Sequence, residues 1–321
     1  MSPLSRPLRM DKAPPRREQG VALLTAILVT ALASMLAVAM VSRQHVEIRR
    51  TANVLESERA YLFALGAEGW VKHILQRDDP SKDSLDEDWA VSLPPISVEG
   101  AQLAGRVEDL QGRFNLNNVV LAGKAYKPAV ELFQHLLQSI ELSPDLALAL
   151  VDWIDADMDV SFPAGAEDDE YLSAPTPYRA ANRPLLSPSE LLLIKGFTPE
   201  VYAQLAPLVT ALPVPTGINI NTAPPAVLAA LGEGLTAGDL EGIVAQREEK
   251  PFATVDELLN EGAFSSRAPA LRRPGVLAVK SDFFLLQGAA RFGERGKVDL
   301  YSLFSRKGGK VAVLWRAQGV Y

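Results

Sequence analysis

Arg16-Arg17-Glu18-Gln19-Gly20 runs straight into Val21–Val41, VALLTAILVTALASMLAVAMV, and this junction sets the architecture of the chain. Twenty-one residues without a charge, rising about 1.5 Å each, make a helix of roughly 32 Å, which matches the ~30 Å hydrocarbon core of a bilayer. A secretory signal has a shorter apolar region, about 7–15 residues, with a small-residue cleavage site after it. Here Ala37-Val38-Ala39 lies inside the run, and no such site follows. The leader carries Arg6, Arg9, Lys12, Arg16 and Arg17 against Asp11 and Glu18, so it stays cytoplasmic and places everything after Val41 outside. Ser42–Arg77 then contains no proline, and Asp78-Asp79-Pro80 closes the helix. The alternative is a plain single-span anchor, but so long a proline-free extension is more than an anchor needs.

Composition narrows the rest. At 321 residues and 48% apolar, the chain can bury at least one sizeable core, with room for two domains beyond the helix. It has no cysteine, which excludes thiolate zinc, a catalytic thiol and a disulfide framework. A net charge of −7 argues against a nucleic-acid surface, because neutralising phosphates takes clustered Lys and Arg.

Further along, apolar residues recur at Val46, Ile48, Val54, Leu55, Leu62, Leu65, Val71, Ile74 and Leu75, a loose helical stripe whose upper half should lie on a globular domain with Trp70 in the core. Ser97–Leu116 alternates like strands, with turn glycines expected at 100, 105 and 112. Val276–Phe292, Lys297–Ser305 and Val311–Val320 read as three more antiparallel strands. Between these blocks the texture is helical: Lys127–Ile140, Pro144–Ile154, Pro188–Lys195, Pro199–Leu208, Pro224–Leu231, Ala237–Arg247 and Val255–Asn260, with proline near several starts, where a missing amide proton costs nothing. Strand signals on both sides of a helical block predict an α+β chain with an inserted α domain.

The basic leader, the glycine and the apolar helix together resemble the type IV prepilin class, in which a leader peptidase cuts after such a glycine. Here that glycine is Gly20 and the first mature residue is Val21, which the resemblance implies is N-methylated. Most of the class has phenylalanine at that first position and glutamate at the fifth; this chain has Val21 and Thr25. A missing fifth-position glutamate combined with a large α insertion resembles the K-type minor pseudopilin family of type II secretion systems. Internal motifs carry the same likeness: Gly112-Arg-Phe-Asn-Leu-Asn117, Asp152-Trp-Ile-Asp-Ala-Asp157, Gly165-Ala-Glu-Asp168, Tyr178-Arg-Ala-Ala-Asn182 and Ile218-Asn-Ile-Asn-Thr-Ala223.

The resemblance implies a pilin-like fold, with the long helix packed on an antiparallel sheet. The divisions expected are a leader (1–20), a transmembrane part (21–41), helix and first sheet half (42–126), inserted helical domain (127–275) and closing strands (276–321). It implies a non-enzymatic subunit in the inner membrane with its C-terminal domain in the periplasm, placed at the pseudopilus tip to initiate or cap it. The implied partners are the I- and J-type minor pseudopilins, the major pseudopilin and the prepilin peptidase.

Asp152–Glu170 holds eight acids and neither Lys nor Arg, interleaved with Trp153, Ile154, Phe162 and Tyr171, which want burial. The segment is either solvated surface or a site where a cation offsets repulsion and desolvation. Many hard oxygens without His or Cys select Ca²⁺. Asp155-x-Asp157-x-Asp159 opens like an EF-hand, but Val160 stands where glycine is needed and Ala166 where glutamate is needed. The better expectation is a non-EF site from the Asp152–Asp159 turn and the loop after Gly165, with Asp152, Asp155, Asp157, Asp159, Glu167 and Asp168 as candidate ligands. The resemblance also implies structural calcium in this domain.

Asn219–Leu228, Gly232/Gly234, Ile243–Arg247 and Pro251–Leu258 resemble the helix-hairpin-helix modules of DNA-binding competence receptors, which makes a DNA-uptake pseudopilin the alternative function. The hairpin carries Glu233 and Asp239 and no base, which would repel phosphate, and Asn219 and Asn221 suit bracing the loop before the Pro224 helix. His45, His73 and His135 are scattered, and no catalytic constellation or nucleotide fingerprint is present. The single Met and Trp residues read as core.

Overall fold

The computed structural model describes residues 19–232, 235–260, 264, 267–273 and 275–319. Residues 1–18 of the basic leader, with Glu233 and Gly234 of the hairpin, lie outside them. Helix α1 (Gln19–Arg77) is the one helix, among the described residues, long and apolar enough to cross a membrane. The chain separates into two units, one ending at Glu56 and one beginning at Ser57. In the first, the apolar side chains of 21–41 face outward on the helix. Its hydroxyls are satisfied internally: Thr25 donates to the carbonyls of Val21 (3.1 Å) and Ala22 (3.0 Å), and Thr30 and Ser34 bond back likewise. A hydroxyl so engaged can sit in hydrocarbon at little cost.

In the second unit, Ala60, Ala64, Glu68, Val71 and Leu75 form the buried stripe of α1 at helical spacing. Ala60 and Ala64 meet Ala290 and Leu300, while Val71 and Leu75 meet Trp89, Phe284, Phe304 and Val311. The larger apolar residues of the predicted stripe are displaced: Leu62 is 63% exposed, and Trp70, expected in the core, is 48% exposed and lines an open apolar groove with Phe63, Ile96 and Val98. Alanines let the helix approach the sheet closely, and bulk is turned sideways. Glu68 completes the contact. Its carboxylate accepts from Ser302 Oγ (2.6 Å) and from Arg316 Nε and Nη2 (2.6 and 2.8 Å), which hold its pKa below the usual range although burial acts the other way. Arg316 is itself half exposed, so solvent screens the pair and it contributes less than a fully buried one would.

The sheet has five antiparallel strands. β1 (Leu93–Val98) and β2 (Ala101–Asp109) form a hairpin, turned at Glu99 and Gly100, both with positive φ (48° and 86°). The chain then leaves the sheet through short bridges β3 (Phe114–Asn115), β4 (Val120–Leu121) and β5 (Lys124–Ala125). It builds α2 (Lys127–Ser139), α3 (Leu146–Ile154), α4 (Asp168–Leu172), α5 (Pro199–Leu205), β6 (Val209–Thr210), β7 (Ile218–Asn219), α6 (Pro225–Leu231), α7 (Ala237–Glu249), α8 (Val255–Leu259) and α9 (Ala268–Leu271). It returns by β8 (Leu277–Ala278) to β9 (Phe283–Phe292), β10 (Gly296–Lys307) and β11 (Lys310–Gln318), giving the order β1-β2-β9-β10-β11. Strand β9 lies directly against β2, Ala101 opposite Phe292 and Asp109 opposite Phe284, so the helical block is inserted between two neighbouring strands.

Three details differ from the sequence reading. Gly105 is not at a turn, whereas Gly112 does lie on one, the single 3-10 turn Leu110–Gly112. Gly105 sits within β2, where a Cβ would lie 3.0 Å from the Gln287 carbonyl, and Gly112 is pressed against Thr222. The predicted strand Val276–Phe292 is two strands, because β8 pairs in parallel with β7 of the helical domain. The helical domain's core also takes in Phe114, Leu116 and Val119 before the bound expected at 127, and Val276 and Leu277 after 275.

Candidate functional site

The acidic segment folds between the C-terminal end of α3 and the start of α4. Asp152 and Trp153 are on the last turn of α3, Asp155 is its C-cap, and Glu167 is the N-cap of α4. Trp153 packs edge-on against Tyr171 with ring centres 5.1 Å apart, and Tyr178 stacks on Tyr171 at 5.4 Å. This aromatic wedge is why the acids are drawn inward. Asp152, Asp155, Glu167 and Asp168 are all buried, whereas Asp157 and Asp159 stay on an exposed bend. Phe162, expected to be buried, is 92% exposed, and Met158, read as core, is 61% exposed. Both stand on the arm between α3 and Gly165, and the wedge is complete without them.

The four buried acids divide by how they are engaged. The Asp152 carboxylate accepts the Ser161 N–H (3.0 Å at Oδ2), and Asp168 accepts the Ala180 N–H (3.0 Å) and pairs with Arg179. By contrast, Asp155 Oδ1 and both Glu167 carboxylate oxygens are buried without a hydrogen-bond partner. Burial, with Asp157, Asp152 and Asp159 nearby, pushes the Asp155 carboxyl up to about 6. Burial, with Asp152, Asp155, Asp168 and Asp157, pushes Glu167 up to about 7. Orphaned buried carboxylate oxygens of this kind are rare, because each forfeits its hydration. Facing the negative end of a helix adds to the cost for Asp155. A hard divalent cation would satisfy them, with Asp155 and Glu167 as principal ligands; no three carboxylates of this segment bring an oxygen each within 4.8 Å of one another, so binding would have to draw Asp152 and Asp168 in. The acids of the segment are less isolated than they read in sequence, since Arg179 reaches Asp168 and Lys195 reaches Glu170 (2.9 Å) from beyond it.

Gly165 makes the geometry possible. A Cβ there would lie 2.0 Å from Asp152 Oδ2 and 2.6 Å from the Ser161 carbonyl, so only glycine lets the chain fold back onto Asp152. Gly165→Ala is expected to cost about 1–3 kcal/mol through overpacking, read as a lowered melting temperature by circular dichroism. An unchanged melt would show that the loop yields freely.

A second acidic group, Asp78, Asp83 and Glu87, brings oxygens within 4.8 Å of one another. Arg306 already serves it, bonding Asp78 (2.6 Å) and Asp83, while Trp89 Nε1 donates to Glu87 (2.6 Å). A guanidinium there does what a metal would do.

Among its described residues, the hairpin-like segment turns its polar groups to internal partners. The amide end of α7 is closed by a capping box in which Asp239 accepts the Thr236 N–H (2.8 Å) and Thr236 Oγ1 accepts the Asp239 N–H (3.2 Å). Asn221 is turned inward, donating to the Phe252 carbonyl (3.0 Å) and accepting its N–H (2.8 Å). Asn219 is wholly buried. Arg247, which sequence reading left without a role, is buried beneath the loop and donates to the carbonyls of Ile220 (3.0 Å) and Ala223 (2.7 Å). In the first unit, Gly20 and Val21 lie on α1 with nothing within 4 Å of a Cβ added at Gly20.

Known proteins resemble this chain along most of its length. Family models described as type II secretion system, protein K, match residues 112–214 and 218–280. Type II secretion system protein K of Pseudomonas aeruginosa is 34% identical, over 95% of this chain and 94% of its own. The protein of that name from Klebsiella pneumoniae is 32% identical over 95% and 98%. Among solved structures, the crystal structure of the GspK-GspI-GspJ complex from the enterotoxigenic Escherichia coli type 2 secretion system matches with a TM-score of 0.73 and 28% identity, covering 85% of this chain and all of that one.

Proposed function

The chain belongs to the type II secretion system protein K family, and we propose that this minor pseudopilin is cut after Gly20, held in the inner membrane by Val21–Val41, and carried at the pseudopilus tip. The observation that carries the tip reading is the helical domain inserted between β2 and β9, a mass that obstructs a further subunit stacking above. Thr25 supports it. In the pilin class the fifth-position glutamate is thought to neutralise the N-terminal amine of a neighbouring subunit, and a subunit with nothing above has less use for that carboxylate. Thr25 spends its hydroxyl on its own helix.

The partners are the I- and J-type minor pseudopilins, in keeping with the complex in which the related GspK was solved. The major pseudopilin and the prepilin peptidase follow from the same assembly. The domain from Ser57 onward works in the periplasm. There millimolar calcium would fill a site of extracellular-module affinity, about 10⁻⁴–10⁻³ M, using Asp155 and Glu167 with Asp152 and Asp168. Its role is structural: it neutralises acids that the aromatic wedge forces together. The test is the position of a tagged copy on assembled filaments, which should be one end.

A further inference from the structure

Between the helical domain and the sheet lies a buried polar knot. The chain crosses from one to the other at Leu110–Arg113 and returns at Val279–Asp282. Asp109, the last residue of β2, is 5% exposed, and its carboxylate accepts four hydrogen bonds. Oδ2 accepts from Thr222 Oγ1 (2.6 Å), Ser281 Oγ (2.7 Å) and Asn219 Nδ2 (2.9 Å), and Oδ1 accepts from the Gln111 N–H (2.8 Å). Asn219 also donates to the Asp83 carbonyl (3.0 Å), and Ser281 N–H donates to Asp83 Oδ2 (2.7 Å). Gln111 continues the network, donating to the Gly217 carbonyl (3.3 Å) and accepting the Asp282 N–H (2.7 Å). Gly112 admits no side chain here, because a Cβ would lie 2.8 Å from Thr222 Oγ1.

The apolar interior is divided at the same place. The helical domain has one large buried cluster, and the sheet has separate clusters against α1. Leu212 is the helical-domain residue that reaches Leu110, Phe283, Leu285 and Leu303 on the sheet side. A small apolar bridge and a fully bonded carboxylate therefore carry the junction.

We infer that Asp109 is the latch through which the helical domain and the sheet open as one cooperative body. Thr222 and Asn219 come from the helical domain, Asp109 from the sheet and Ser281 from the return crossing, so one carboxylate ties three segments. An amide at position 109 would keep the shape but turn an NH₂ towards groups that already donate, leaving buried donors unpaired. The two bodies would then open separately.

The experiment is hydrogen exchange by mass spectrometry on the full chain in detergent, wild type against Asp109→Asn, comparing α2 and α6 with β9 and β10. In the variant, exchange on one side should rise at least tenfold while the other side stays within about twofold. An equal change on both sides, or none, would overturn the latch. Should Asp109→Asn fail to fold, Thr222→Val removes one donor and keeps the shape. It should split the two sides in the same sense by a smaller factor, and an equal response would overturn the inference as firmly.

Discussion

Removing calcium is expected to lower the melting temperature of the full chain by roughly 1–6 °C, the shift that about 0.4–1.4 kcal/mol of cation binding gives in a domain of this size. Asp155→Asn and Glu167→Gln should each abolish the difference between calcium and chelator, because each removes charge at an oxygen that has no other partner. Asp157→Asn should do much less, since Asp157 lies on the exposed bend and already accepts the Asp159 N–H (3.0 Å). Magnesium should substitute poorly, because it requires a tighter octahedron and sheds water reluctantly.

The pH dependence has a definite sign. Folding raises the Asp155 and Glu167 carboxyls from ordinary values to about 6 and about 7. The chelated folded protein therefore holds protons that the unfolded chain has released. Its stability from these groups is greatest at acid pH and is lost as pH climbs from about 4 through 7. Calcium should reverse that loss above pH 7 and bind more weakly below pH 6, where protons compete. Thermal melts with and without chelator across that range check it; curves indifferent to calcium at every pH would show that the buried acids are held without a cation.

Replacing Gly20 with leucine is expected to leave the leader attached and to abolish export by the system, an all-or-none effect. A peptidase that reads a flat glycine site does not accept a side chain there. Since the chain itself leaves open space around that position, the substitution should not disturb the helix. Mass spectrometry of the wild-type mature protein should find Val21 first and N-methylated. Any other first residue would contradict processing of the prepilin kind.

Most of the fold was legible because it rests on local signals. The uncharged run gave α1, the prolines gave the starts of α2, α5 and α6, and the alternation gave β9 to β11. What was hidden depends on who meets whom. Glu68 reads as a solvent residue of an amphipathic helix, and only Ser302 and Arg316, brought over by β10 and β11, make it a core residue. Trp70 reads as core by size, but alanines win the tight seat on the sheet.

At the candidate site, the density of acids was plain from the sequence. The sorting of Asp155 and Glu167 from Asp157 and Asp159 was not, because it follows from the Trp153–Tyr171 wedge and from backbone donors at Ser161 and Ala180. The knot at Asp109 had only a partial signal: Asn219 and Thr222 lie in the Ile218–Ala223 motif, but nothing led from there to Asp109 or Ser281. Its members, Asp109, Asn219, Thr222 and Ser281, are ordinary polar residues spread over more than 170 positions.

The most direct test of the central claim is immunogold labelling of a functional tagged copy on pseudopili assembled with the major subunit. The account predicts one label per filament, at one end, with strains lacking the protein showing faulty initiation or length control while the major subunit still folds. Label spaced regularly along the filaments would contradict it.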